Sequence, residues 1–212
     1  MISPELFTPK ILTAIEVMAT LAFALSGVIV GAQKRLDAVG VVVVAFLAAF
    51  GGGTLRDLLL DKRPFFWVTH VDILWLVLLL TAVCMMFIRQ KHIPKTEKII
   101  LWPDTIGLGL FTATGAFQAI NTDLPYLVVV LMGVITGVFG GVLRDIVCNE
   151  IPNAFKDHRP YALCAFIGGW AMVLAIELGL PNNLSILIGA LSTIALRALA
   201  INRNISLPAW RL

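Results

Sequence analysis

Three stretches of the chain carry almost no charge over the length needed to cross a lipid bilayer. Ile11 to Gly31 contains one charged residue, Glu16, while Ala38 to Leu55 and Ile73 to Ile88 contain none. The hydrocarbon core of a bilayer is roughly 30 Å thick, a distance that about 20 residues of α-helix cover. Within it every backbone amide must be satisfied inside the segment, which favours helices. Composition agrees. Of 212 residues, 59% are hydrophobic and 14% charged, against roughly 25% charged in a soluble domain. The chain reads as an all-α integral membrane protein, and the soluble classes are excluded.

Seven spans are expected, at about 11–31, 38–61, 72–88, 103–120, 125–149, 161–179 and 183–201. Pro94, Pro103, Pro125, Pro160 and Pro181 sit at or between their boundaries, where proline breaks no needed helical bond. The first ten residues have no basic leader region, and the first span is read as retained. Lys34, Arg35, Arg89, Lys91, Lys95, Lys98, Lys156, Arg159, Arg203 and Arg211 fall on one side, and only Lys10, Lys62 and Arg63 on the other. The positive-inside rule then places the C-terminus in the cytoplasm and the N-terminus outside. Cys84, Cys148 and Cys164 lie in or beside apolar stretches with no pairing or metal spacing, and read as small apolar fillers.

The chain also repeats itself at an offset of 88 residues. Phe23 matches Phe111, Gly27 matches Gly115, and Gly52-Gly53-x-Leu55-Arg56-Asp57 matches Gly140-Gly141-x-Leu143-Arg144-Asp145. Pro64 matches Pro152, and Glu16 and Asp104 are acidic equivalents near the start of each copy. Three helices per copy is an odd number, so the second copy enters the membrane from the opposite side as an inverted repeat. The expected organisation is a first three-helix repeat over 1–98, a second, inverted one over 99–182, and a seventh helix with its tail over 183–212.

Gly51, Gly52, Gly53, Gly140 and Gly141 are the most informative residues. Successive glycines weaken a helix by roughly 1 kcal/mol each and favour a kink or an unwound segment. Paired interruptions in corresponding halves point to a permeation or binding site near the midplane, although glycine also permits close helix packing. Arg56, Asp57, Arg144 and Asp145 follow directly, and intramembrane charges pair facing an interior or cavity. Adjacent residues point about 100° apart on a helix, so a crossed pairing is expected, Arg56 with Asp145 and Arg144 with Asp57. Ser26, Thr54, Thr114, Gln118 and Thr136 are candidate polar pore-lining residues, with Thr105 and Thr112 as weaker ones.

These motifs, the seven helices and the three-plus-three inverted repeat resemble the prokaryotic TRIC (trimeric intracellular cation) channel family, also known by a "glycine transporter" domain name. The resemblance implies a homotrimer in a prokaryotic inner membrane, with one potassium-permeable pore inside each protomer. It also implies that the second and fifth helices are kinked at Gly51–Gly53 and Gly140–Gly141 and line that pore. Two departures stand out: the second motif reads Phe139-Gly140-Gly141 instead of three glycines, and no Lys-Glu-Val element is present.

Elsewhere the sequence is quieter. Gly27-x-x-x-Gly31 and Gly133-x-x-x-Gly137 suit close helix contact, preferably within the chain. Arg197 is expected to snorkel to the cytoplasmic edge, and Asn153 to Arg159 to form a solvated face. His70, His92 and His158 fall in loops and no phosphate-binding motif occurs, so no enzymatic activity is expected. Two functions remain: a passive monovalent cation channel, potassium before sodium, and a secondary transporter of a small solute such as glycine. No cofactor, metal or nucleic-acid partner is expected; membrane lipid and small monovalent ions are.

Overall fold

The computed structural model describes residues 9–87, 98–156 and 158–208. Arg89, Lys91, Lys95, Arg211 and His92 therefore lie outside the described residues. The described chain forms nine helices: α1 (Pro9–Gln33), α2 (Ala38–Leu59), α3 (Phe66–Thr69), α4 (Val71–Phe87), α5 (Lys98–Ile120), α6 (Tyr126–Val147), α7 (Asn153–Lys156), α8 (Ala162–Glu177) and α9 (Asn182–Asn202). Five of them, α1, α2, α5, α6 and α9, are long and apolar enough to cross a membrane. The shorter apolar helices α4 and α8, of 17 and 16 residues, coincide with the two remaining expected spans. Helix α5 starts five residues earlier than expected and carries Pro103 as its sixth residue, which forfeits one bond of the helical ladder.

Local chemistry sets the helix ends. Asp37 caps α2, its side chain accepting from the Gly40 amide at 2.7 Å, which satisfies one of the orphan donors of the first turn. Several helices end on a left-handed residue, and these endings recur at the repeat offset: Arg35 and Asp123 have φ of 56° and 53°, Asp61 and Asn149 of 50° and 54°. After α2 and α6 the chain also turns back with the same bonds, Lys62 N–H to Asp57 C=O and Glu150 N–H to Asp145 C=O.

Apolar clusters fill the space between helices. One gathers Ala113, Ala116, Val129, Val130, Met172 and Ile186 between α5, α6, α8 and α9. A second packs Phe50 and Ala49 of α2 against Ile73 and Val77 of α4. Phe23 and Phe111, equivalent by the repeat, stack on each other with centroids 5.7 Å apart. All three cysteines are buried free thiols, as expected of apolar fillers.

Candidate functional site

Helices α2 and α6 cross in antiparallel directions through their glycines. A Cβ on Gly52 would lie 2.1 Å from the Thr136 carbonyl oxygen, and one on Gly140 would lie 2.4 Å from the Ala48 carbonyl oxygen. The two contacts are images of each other under the 88-residue offset. No side chain fits between the helices at this point. Both helices run as unbroken α-helix through their glycines, so the expected unwinding is not observed. Close approach, not interruption, is what these two glycines provide. The other pairs behave alike within the chain: Gly27 lies against Ala45 of α2, and Gly133 and Gly137 against Thr112 and Leu108 of α5.

A cluster of buried charge sits at each end of this crossing. In the first, Arg56 Nη1 donates to Glu16 Oε1 at 2.7 Å, and its Nε and Nη2 donate to Asp57 Oδ1 at 2.9 and 2.8 Å. Asp57 Oδ2 accepts the Phe66 amide at 3.0 Å, capping α3. In the second, Arg144 Nη1 donates to Asp104 Oδ1 at 2.6 Å and Nε to Asp145 Oδ1 at 2.8 Å. Asp145 Oδ2 accepts the Asn153 amide at 2.9 Å, capping α7. Arg56 and Arg144 are each 1% exposed. The crossed pairing is thus incorrect: each guanidinium is shared between its own neighbour and the acid forty residues upstream. The Cα–Cβ vectors do diverge as expected, but arginine is long enough to fold back along the helix and grip an adjacent carboxylate with its Nε edge.

The polar candidates divide. Ser26 Oγ accepts from Arg144 Nη1 at 2.6 Å, joining the second cluster from the opposite repeat. Gln118 joins the first: its Nε2 donates to Glu16 at 2.6 Å, and its Oε1 accepts from Lys62 at 2.7 Å. Thr136 donates to the Met132 carbonyl at 2.7 Å and Thr114 to Phe111 at 3.5 Å, the quiet backbone bonding open to any helical threonine. Thr54 donates to Phe50 and accepts the Trp67 indole N–H.

Four contributors were not among the expected site residues. Glu16 and Asp104 were legible as acidic equivalents at the repeat offset, and an acid inside an apolar span is itself a signal. Lys62 and Tyr161 had none, because neither has an equivalent in the other copy. Tyr161 donates to Asp104 Oδ2 at 2.5 Å. Arg197 does not snorkel outward: it is 1% exposed, lies 4.9 Å over the Tyr161 ring and donates to the Arg159 and Pro160 carbonyls.

The second cluster opens onto a cavity of about 620 Å³, walled by the ends of α1, α6 and α9, the start of α5 and the segments 151–156 and 158–161. Its lining mixes Lys34, Lys156, His158, Arg159 and Arg197 with Asp104, Asp145 and Glu150; Phe155, Lys156 and His158 are exposed, in keeping with the solvated face expected there. Lys34 and Glu150 form an ion pair between the segments that follow α1 and α6. The Lys34 ammonium holds the Glu150 carboxyl below its ordinary value. No His, Cys, Asp and Glu group that could hold a metal ion occurs among the described residues.

A family model described as "glycine transporter" matches residues 13–90 and again 101–177. A UPF0126 membrane protein of Vibrio cholerae is 35% identical over 205 residues, covering 96% of this chain and 84% of its own. The UPF0126 inner membrane protein YadS of Escherichia coli K12 is 34% identical over 200 residues, covering 93% and 95%. Among solved structures, the TRIC trimeric intracellular cation channel orthologue from Rhodobacter sphaeroides is 30% identical with a TM-score of 0.84, over 92% of this chain and 99% of that one. A structure that addresses conductance through TRIC cation channels is 33% identical with a TM-score of 0.83, over 94% and 97%.

Proposed function

The chain belongs to the family that this model describes, that of the prokaryotic TRIC channels, and on that premise we propose that it is a monovalent cation channel. Potassium is the main permeant ion, and each protomer of a homotrimer holds its own pore. Seven helices span the inner membrane, α1 to α4 and α5 to α8 forming the two inverted repeats, with α9 outside them. The reciprocal Gly52 and Gly140 contacts and the Phe23–Phe111 stack support that symmetry. The excess of basic residues around the cavity end supports a cytoplasmic C-terminus. Helices α2 and α6 line the route and bend at Gly51–Gly53 and Gly140–Gly141.

The observation that carries this reading is the charge balance of the two buried clusters. A lone arginine beside the route would repel cations. Here each guanidinium is held by two carboxylates, Glu16 and Asp57 at one end and Asp104 and Asp145 at the other. Neither guanidinium therefore stands as an uncompensated positive charge beside the route.

Purified protein in a planar bilayer under a potassium chloride gradient tests the proposal. Discrete unitary steps with a reversal potential near that of potassium are expected. Saturable uptake of labelled glycine into proteoliposomes without unitary steps would overturn it in favour of a carrier.

A further inference from the structure

The two clusters share a plan but differ in what holds the acid from the first helix of each repeat. At one end Glu16 is bound by Gln118, which Lys62 binds in turn. At the other end the residue equivalent to Gln118 is Val30, which offers no donor. The place is taken by Tyr161, from just before α8, whose hydroxyl occupies Asp104 Oδ2. Arg197 of α9, lying over the ring and gripping the two carbonyls before it, sets where that hydroxyl points. Asp104, Asp145, Tyr161 and Arg197 line the same 620 Å³ cavity.

We infer that Tyr161 is a positioning residue that caps Asp104 against the cavity, so that helix α9, through Arg197, sets how strongly this end of the protein holds an entering cation. The inference rests on the channel reading above. A buried carboxylate oxygen needs a donor or a counter-charge. While the phenol supplies the donor, Asp104 Oδ2 has little left to offer a passing ion. Without the hydroxyl, that oxygen faces the cavity and takes a cation or its water in the phenol's place. Binding then tightens and exit slows, since conduction needs a site weak enough to leave.

The test is Tyr161→Phe, which keeps the ring under Arg197 and removes only the hydroxyl, read as unitary potassium current with the concentration varied on one side at a time. The expected result is a half-saturating potassium concentration about twofold lower or more from the cavity side, a smaller saturating current, and wild-type half-saturation from the Lys62 side. Arg197→Lys keeps the charge but loses the planar stack, and shifts half-saturation in the same direction. A purely structural role would change the number of active channels and leave half-saturation alone. Wild-type half-saturation from both sides in Tyr161→Phe overturns the inference while leaving the channel intact. A wild-type protein that passes no unitary current overturns both.

Discussion

The three glycines at 51–53 are identical in sequence and occupy three different environments. A Cβ on Gly52 meets the Thr136 carbonyl oxygen at 2.1 Å, one on Gly51 clashes with the Leu143 side chain at 2.6 Å and touches the Gly140 backbone at an ordinary 3.9 Å, and one on Gly53 meets nothing closer than Arg56 Nη2 at 3.8 Å. A flexible leucine yields and a helix backbone does not. Gly52→Ala is therefore expected to destabilise by about 1–3 kcal/mol, as overpacking does, and Gly140→Ala likewise. Gly53→Ala is expected to be neutral or to stabilise by up to about 1 kcal/mol through helix propensity. Thermal unfolding of the detergent-solubilised variants checks the contrast. The run of glycine was plain in the sequence, but which member carries the contact depends on a residue 84 positions away.

At the scale of the helix, each Arg-Asp pair joins three elements. Arg56 ties the end of α2 to the start of α1, and Asp57 ties it to the first amide of α3; Arg144 and Asp145 repeat this with α5 and α7. A double-mutant cycle separates this arrangement from the crossed one. Arg56→Gln with Glu16→Gln is expected to show a coupling energy above about 1 kcal/mol, and Arg56→Gln with Asp145→Asn to be additive within about 0.5 kcal/mol. Asp57→Ala leaves the Phe66 amide without its acceptor, so amide exchange over Phe66–Thr69 is expected to quicken while α4 stays protected. The five long apolar helices were legible, because bilayer thickness and the cost of burying charge act on sequence directly, and the shorter apolar α4 and α8 were legible from their composition. The short helices α3 and α7 were not, having too few residues for any periodicity and depending on a carboxylate from the preceding helix. The pairing failed for a similar reason: spacing gives the direction of Cβ, while the reach of a guanidinium is decided by packing around it.

Across the whole molecule the first and second repeats are joined at the cavity end by the Lys34–Glu150 ion pair as well as by the Arg144–Ser26 bond. The Glu150 carboxyl is held low by Lys34. A depressed carboxylate contributes fully above its unfolded value, and that contribution is lost as pH falls through its folded value. The stability advantage of wild type over Glu150→Gln is thus expected at neutral pH, to vanish on the acid side of the ordinary glutamate range, and to shrink with added salt. Unfolding temperatures of both proteins across pH measure it. The internal repeat announced the two ends of the molecule as equals; of the residues that make them unequal, Gln118 was legible as a polar residue in an apolar span, while its pairing with Lys62 and that of Tyr161 with Arg197 are not repeated in the other copy and so left no pattern to find.

The Gly52 and Gly140 contacts place helix backbone against helix backbone, and this limits how the sequence can drift. Elsewhere in a core, an enlarged side chain can be accommodated by trimming its neighbour. Here the neighbour is already a carbonyl group, common to every amino acid, and nothing smaller than glycine exists. A second-site suppressor of Gly52→Ala cannot arise within the contact; it has to come from residues that reset the distance between α2 and α6, which are spread along both helices. The crossing is consequently a fixed point in sequence space as well as in the fold, held by two residues that have no neutral substitute.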